Sequence, residues 1–372
     1  MRRSYKYRIY PNRKQVWILS RMLETHRRLY NDALAYRIMM WKGYHRSESA
    51  ISIQYSLKDL RIEDPYLAEC NFNALGRTLR RLDRAYDAFF RRVKTGKESP
   101  GFPKFKSRKH FNSMGYTYNN GIRLKHGRLY IQKVGLIRIF LDRPLPENAT
   151  PKAAVVKLEG QHRWHVIIQC ELRDSQVEQV LDSSIGIDMG LEWFCALSTG
   201  ELIENPRWRR KSESKLATLQ KRQARCRSGS KQYRQLARQI NTLYRRTASR
   251  RHDFHHKLST RLAKEFGIIG AEDLNIKGLA KSHVRKSIGD AGWGAFLHML
   301  EYKTQGHGSQ LVRVDARGTS QICSECGCVV KKSLSERVHS CPECGYTAHR
   351  DVNAARVIKH RALNILLDRQ AA

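Results

Sequence analysis

Residues 4–10 (SYKYRIY) alternate in polarity and stop at Pro11-Asn12, as a short strand does. The stretch 13–44 holds no proline and a single glycine, Gly43. Its Leu19, Met22, Leu23, Leu29 and Leu34 fit one helix or a broken pair. Residues 73–95 carry a clearer stripe. Leu75, Leu79, Leu82, Tyr86 and Phe89 step by 4, 3, 4 and 3, with Asn71 or Asn73 placed to cap the start and Gly96 to end it. The period then changes. GFPKFKSRKH (101–110) reads as a basic, proline-broken connector, and from 115 to 172 the pattern is that of strands: LYIQ, LIRIFL, AVVKL and WHVIIQCEL. Three hairpin turns are expected, at Asn120-Gly121, His126-Gly127 and Glu159-Gly160. The strand at 4–10 is placed to join this sheet, which makes 11–99 a helical insertion.

After 180 strands and helices alternate. SSIGIDMG is a short buried strand with an aspartate near its end, and Glu192–Leu197 and Glu201–Ile203 are two more strands around Thr199-Gly200. Residues 207–257 hold 17 Lys or Arg against Glu213 and Asp253, and predict a long basic helix or a helical hairpin broken near Ser228-Gly229-Ser230. Phe254, Leu258, Leu262 and Phe266 form an apolar stripe at i+4. FGIIGAEDL is a second buried strand ending in acid, AGWGAFLHMLEYK a helix and SQLVRVDA a strand. DVNAARVIKHRALNILL is a closing helix with Ala355, Ile358, Ala362 and Ile365 inward. Such alternation predicts an α/β domain.

Composition adds a partner. The chain has 372 residues, 41% of them hydrophobic, so it can build real cores and disorder is excluded as its main state. Seventy Lys and Arg against 34 Asp and Glu give a formal charge of +36. No small-molecule enzyme needs such a field; a polyanion neutralises it, nucleic acid before an anionic membrane. No apolar run reaches about 18 residues, and the opening MRRSYKYRIY lacks the core of a signal peptide. A soluble, cytoplasmic, nucleoid-associated protein without a membrane partner is expected. The arginine face of the 73–95 helix (Arg77, Arg80, Arg81, Arg84), the connector's Lys104 and Lys106, and Arg209, Arg210, Lys221, Arg222, Arg245 and Arg246 of the basic helix are the expected nucleic-acid contacts. The histidines, His255-His256 among them, read as solvent or phosphate contacts rather than ligands.

Five of nine cysteines crowd into 323–344. Cys323-Ser-Glu-Cys326-Gly and Cys341-Pro-Glu-Cys344-Gly are two CxxCG knuckles, close to the pattern of a four-cysteine structural zinc site. Cys328 falls out of register and is left aside.

Three acids stand where structure alone would not put them. Asp188 follows Ile185-Gly186-Ile187, Glu272 follows Phe266-Gly-Ile-Ile-Gly-Ala, and Asp351 opens the last helix. A carboxylate at the end of a buried strand is costly unless paired, hydrogen-bonded or metal-bound. Two adjacent strand ends and a helix laid across them bring the three to one point, where they can hold two Mg²⁺ about 3.5–4 Å apart for phosphodiester hydrolysis.

GIDMG, AEDLN, the paired CxxCG knuckles and HRDVNAA, in that order, resemble the nuclease domain of the TnpB (OrfB) family, insertion-sequence proteins related to type V CRISPR effectors. YNDALAYR (30–37), GFPKFKSR (101–108) and AGWGAFLHMLEYK (291–303) extend the likeness over nearly the whole chain. Lys303-Thr-Gln-Gly-His-Gly308 departs from it in being more polar, as does the very short tail after the last helix. The resemblance implies an α+β N-terminal lobe and a nuclease lobe. The first is a β-barrel (wedge) domain, 1–10 and 100–178, with a helical recognition domain, 11–99. The second is an α/β RNase H-like (RuvC) domain, 179–372, with a four-cysteine zinc finger inserted at 318–348. It also implies catalytic and Mg²⁺-binding roles for Asp188, Glu272 and Asp351, with Mn²⁺ able to substitute. The implied activity is RNA-guided DNA cleavage beside a short flanking motif, by a monomer on one guide RNA from the transposon end acting on double-stranded target DNA.

Two other readings compete. A guide-dependent repressor of this kind loses active-site acids, and this chain keeps all three. A strand-transferring transposase needs a His-hydrophobic-His pair and a tyrosine; His162 and His165 are separated by two residues and no HxH occurs.

Overall fold

The computed structural model describes residues 2–96, 99–160, 163–173, 183–279, 284–333 and 336–371. They form two compact units, 1–175 and 176–372. The expected boundary at 178/179 and His162 lie outside the described residues. No described helix is long and apolar enough to cross a membrane.

In the first unit, β1 (Arg2–Tyr10) leads into four helices, α1 (Arg13–Tyr44), α2 (Ala50–Glu63), α3 (Pro65–Glu69) and α4 (Phe72–Thr95). The strands β2 (Ser113–Tyr118), β3 (Gly121–Lys125), β4 (Arg128–Ile131), β5 (Gly135–Phe140), β6 (Ala149–Glu159) and β7 (Arg163–Leu172) follow. β1 does join them, closing a barrel in the order β1-β5-β4-β3-β2-β6-β7. Alternation explains its core: Tyr5, Tyr7 and Ile9 of β1 and Trp164, Val166 and Ile168 of β7 point inward. The 13–44 stretch is one unbroken helix. Asn12 accepts from the Gln15 N–H while the Gln15 side chain accepts from the Asn12 N–H, a reciprocal cap. On α4 the predicted stripe is buried from Leu75 to Tyr86 and half-buried at Phe89, Asn71 caps the first turn, and Gly96 ends the helix with φ 62°.

Two expectations change here. His126-Gly127, both at positive φ, makes the tight β3–β4 hairpin, but Asn120-Gly121 makes none: β2 and β3 pair in parallel over two rungs. The bend at Asn119 and Gly121, again both at positive φ, closes a turn without reversing the ladder. The arginine face of α4 is also divided. Arg80 and Arg84 are exposed, but Arg77 donates to Thr117 Oγ1 at 3.4 Å and Arg81 to Ser113 Oγ at 3.3 Å, with the Arg81 guanidinium over Phe111. Those two lay aliphatic stems and planar heads on the barrel.

In the second unit, β8 (Ser184–Met189), β9 (Trp193–Leu197) and β10 (Leu202–Glu204) are followed by α5 (Trp208–Lys211), α6 (Glu213–Ala224) and α7 (Lys231–Glu265). α6 and α7 are the expected basic hairpin, broken at Ser228-Gly229-Ser230. Then come β11 (Ile268–Glu272), α8 (Ile276–Leu279), α9 (Arg285–Ala291), α10 (Trp293–His307), β12 (Gln310–Val314), β13 (Val338–Ser340), β14 (Thr347–His349) and α11 (Arg350–Ala371). The sheet runs β10-β9-β8-β11-β12, parallel from β8 to β12 and antiparallel at β9 and β10. Both faces are covered. Ile185, Ile187, Ile269 and Ala271 pack in one core with Leu258 and Leu262 of α7 and Phe296, Leu297 and Leu300 of α10. The intervening residues face α11, and there the sequence is glycine. A Cβ on Gly186 would lie 1.9 Å from the Ala355 carbonyl oxygen, and one on Gly270 would lie 2.8 Å from Ala362 Cβ.

His255 is corrected from a surface contact to a core residue. It is buried against Phe194 and Phe296, Nε2 lies 2.9 Å from the Ala291 carbonyl oxygen, and burial lowers its pKa to about 4. The unexpected polarity at the end of α10 has a structural cause. Lys303 is buried and its Nζ donates to the His256 carbonyl, Ser259 Oγ and Thr260 Oγ1, which bolts α10 to α7, while burial lowers its pKa to about 8.

The glycine contact predicts that Gly186→Ala displaces α11 rather than merely crowding it, because the obstruction is backbone. Denaturant unfolding should show a loss of about 3 kcal/mol or more, against no loss for Gly43→Ala, which lies within the helical run of α1 and whose added Cβ meets nothing within 4 Å.

Candidate active site and metal centre

The alternation that turns Gly186 and Gly270 toward α11 also turns Asp188 and Glu272 that way, two residues later on each strand. β8 and β11 are in register, Ile187 opposite Ala271, so both acids sit at the same end of neighbouring strands. α11 descends across that end with Asp351 in its first turn, where the Asp351 N–H donates to His349 Nδ1 at 3.2 Å. Burial raises the pKa of Asp188 well above the ordinary carboxylate range, the negative charges of Glu272 and then Asp351 push it further, and Arg350 opposes them. Burial likewise raises Glu272, against a 2.6 Å hydrogen bond from Thr319 Oγ1 and the charge of Arg361. Asp188, with Glu272 and Asp351 near enough for their charges to raise it, has neighbours of the kind that suit a hard divalent cation.

The knuckles form the second centre. The sulfurs of Cys323, Cys326, Cys341 and Cys344 all lie within 4.8 Å of one another, with Cys323–Cys344 at 3.6 Å and Cys326–Cys341 at 3.5 Å. A tetrahedral zinc with Zn–S bonds of about 2.3 Å spaces its sulfurs by about 3.8 Å, so the cluster could hold zinc with little movement. Gly327 and Gly345, at φ 75° and 72°, donate back to the Cys323 and Cys341 carbonyls. Backbone amides of Cys344 and Glu343 lower the Cys341 thiol to about 7. Cys328 stays outside the cluster.

Sequence reasoning missed the residues that join the two centres. Asn353 is fully buried, accepts from the Ser324 N–H at 2.9 Å and donates to the Ile322 carbonyl at 2.7 Å. Thr319 holds Glu272, and Arg361 donates to the Asp315 and Arg317 carbonyls. The one available signal was positional: a glycine two residues before each strand acid, and Asn353 two residues after the helix acid.

Next to Leu191 and Glu192, just beyond β8, opens a cleft of about 600 Å³ lined also by Arg207, Arg210, Lys286 and Arg337. Arg337 pairs with Glu192 at 2.9 Å, and its carbonyl accepts from the Arg350 N–H, beside Asp351. Of the other expected contacts, Lys104, Lys221, Arg222 and Arg246 are exposed. Arg209 and Arg210 are exposed too, while their N–H groups donate to Asp290. Lys106 is half-buried, its peptide held by Asn31 and Arg27, and Arg245 is half-buried on α7.

The chain is similar to known proteins over most of its length. A protein of Streptomyces pristinaespiralis named as an RNA-guided DNA endonuclease is 34% identical over 96% of this chain and 89% of its own. The chain belongs to the TnpB (OrfB) family. The Escherichia coli K12 member InsQ, also named as an RNA-guided DNA endonuclease, is 30% identical over 80% of this chain and 76% of its own length. The IS605 OrfB family model, described as a probable transposase, matches residues 167–283, and a Cas12f1-like TNB domain matches 293–358. A helix-turn-helix model of the same family matches 1–46, where this TnpB-family chain folds as β1 and one long helix. A solved Cas12f1–sgRNA–target DNA complex shares the fold, with a TM-score of 0.57 at 16% identity, over 93% of this chain and 82% of that one.

The cluster predicts that purified protein carries about one zinc per chain and that Cys341→Ser loses it. Elemental analysis with undiminished zinc in the variant would remove the four-thiolate site.

Proposed function

We propose that this TnpB-family protein is an RNA-guided DNA endonuclease that hydrolyses phosphodiesters with Mg²⁺ held by Asp188, Glu272 and Asp351. The observation that carries the reading is that Glu272, from a neighbouring strand end, and Asp351, from a helix start, are near enough to Asp188 for their charges to raise it. In this reading the second unit is an RNase H-like (RuvC) domain with a zinc module between β12 and α11. Asp188, on the central strand, Glu272, held in place by Thr319, and Asp351, on the first turn of α11, would hold the cation. Magnesium supplies a Lewis acid to the attacking and leaving oxygens. Arg350 and Arg361 limit the negative charge that the acids accumulate. The cationic cleft beside Glu192 holds the scissile strand by its phosphates. Sequence choice belongs to base pairing with the guide, with a short flanking motif read on the duplex. The relatives' names and the +36 charge support guide RNA and double-stranded DNA as the partners of a single chain in the prokaryotic cytoplasm.

The three acids should act as one unit. Replacing any of them with Ala should cut guided plasmid cleavage by about 100-fold or more, roughly 3 kcal/mol of transition-state stabilisation. Double variants should be no worse than single ones. Gel-shift affinity for guide and target should persist. An Asp188→Ala protein cutting at more than about a tenth of the wild-type rate would sink the assignment; a wild type that binds guided DNA without cutting it would make the protein a repressor. Because the Asp188 and Glu272 carboxyls are raised, protons compete with the cation. Cleavage should fall as pH drops below neutral, and added Mg²⁺ should restore it.

The divided α4 face gives a second expectation. Arg80→Ala with Arg84→Ala should flatten the log–log salt dependence of RNA binding by about 2, the loss of two phosphate contacts. Arg81→Ala should leave that slope intact and lower the melting temperature, since Arg81 serves the barrel contact. A changed slope in Arg81→Ala alone would contradict this division.

A further inference from the structure

We propose that Thr319 and Asn353 are positioning residues through which the cysteine module sets the geometry of the carboxylate site, so that zinc occupancy controls the affinity of the acids for their divalent cation. The proposal rests on the reading of Asp188, Glu272 and Asp351 as cation ligands. It concerns how they are held.

The two centres share one short stretch of chain. Residues 315–324 leave β12, meet Arg361 and Asn353 of α11 and reach the first cysteine of the cluster, Cys323. Along that path Arg361 donates to the carbonyls of Asp315 and Arg317 at 2.6 and 2.8 Å. Thr319, 4% exposed, donates to Glu272 Oε1 at 2.6 Å. Asn353 then takes the peptide groups on either side of Cys323, the Ile322 carbonyl and the Ser324 N–H, with both ends of its carboxamide. Asn353 lies two residues beyond Asp351, on the opening turns of α11. The knuckle's other half reaches the same turn: Arg350 donates to the Arg337 carbonyl through its N–H and to the Ser333 carbonyl through its guanidinium.

A buried carboxamide with both ends satisfied by one peptide segment fixes that segment relative to its helix, and the loss of either partner strands a buried polar group. Little apolar sequence lies between 318 and 348 to hold the segment otherwise, so its shape depends on the thiolate cluster. Without the cluster Thr319 loses its anchor, Glu272 loses the donor that opposes its burial, and the first turn of α11 loses its contacts to the knuckle. A module serving only to grip nucleic acid would have no need of buried hydrogen bonds to two elements of the acid site.

The test uses the full-length protein on its guide RNA, with Mn²⁺ binding read by electron paramagnetic resonance or calorimetry, and zinc content and cleavage measured on the same samples. Thr319→Val, close in shape but lacking the hydroxyl, should keep about one zinc per chain and normal target affinity, yet weaken Mn²⁺ binding by about 10- to 100-fold. Thr319→Ser should restore it. Asn353→Ala should also weaken Mn²⁺ binding while zinc is retained, and selective zinc removal followed by Mn²⁺ titration should have at least as large an effect. Wild-type Mn²⁺ affinity in Thr319→Val, or in zinc-depleted protein that remains folded, overturns the proposal. Since Mn²⁺ binding is measured directly, a protein that binds the ion but cuts nothing defeats the nuclease reading alone. A wild type that binds no Mn²⁺ defeats both.

Discussion

The second unit depends on one close approach, that of α11 to the sheet over Gly186 and Gly270. The Ala355 carbonyl oxygen and the Lys359 nitrogen occupy the space that a side chain at 186 would need. Two consequences follow. A helix so near brings its first turn within reach of the strand ends, so that Asp351 contributes to the electrostatics of Asp188. It also excludes water, which makes the carboxylates expensive to ionise. Packing and chemistry are therefore one constraint: a helix held farther off would leave the acids better solvated but too dispersed to share a cation.

Isolated carboxylates in such a site would either protonate or unfold it. The chain supplies partial compensation. Arg350 and Arg361 stand next to the acids yet direct their guanidinium groups to backbone carbonyls: Ser333 and Glu336 for the first, Asp315 and Arg317 for the second. They contribute positive field without occupying the carboxylate oxygens, which stay available as ligands. Charge placement of this kind differs from that of the exposed arginines on α4, and from Arg77 and Arg81, which hydrogen-bond to β2.

The legible parts of the sequence were those where a local rule meets no tertiary competitor. The α4 stripe, the barrel strands, the basic hairpin and both knuckles follow from spacing. So do the strand-end acids, since an acid after an unbroken apolar run is anomalous wherever the strand lies. Other features depended on neighbours distant in sequence. His255 looks like part of a basic surface until Phe194, Phe296 and the Ala291 carbonyl surround it. Asn120-Gly121 is a strong hairpin signal, yet β2 pairs with β6 along its length and meets β3 in parallel over only two rungs. Arg77 and Arg81 differ from Arg80 and Arg84 only in the azimuth of α4 relative to the barrel. Asn353 resembles an ordinary helix residue because its partners are backbone groups about 30 positions away.

The electrostatics of the carboxylate site and of the whole chain act in opposite directions. Burial and neighbouring negative charge raise Asp188, and burial raises Glu272, whereas the net charge of +36 favours their ionised form. A bound polyanion cancels that favourable field and adds phosphate charge near the carboxylates. Nucleic acid alone therefore raises the cost of ionising Asp188 and Glu272, and a divalent cation removes it. On the proposed reading, a cation and a strand at this site would strengthen each other's binding through their opposite charges, and by equal amounts because coupling is reciprocal. A divalent cation held between strand and carboxylates would therefore relieve two penalties at once, the burial of the acids and their repulsion from phosphate.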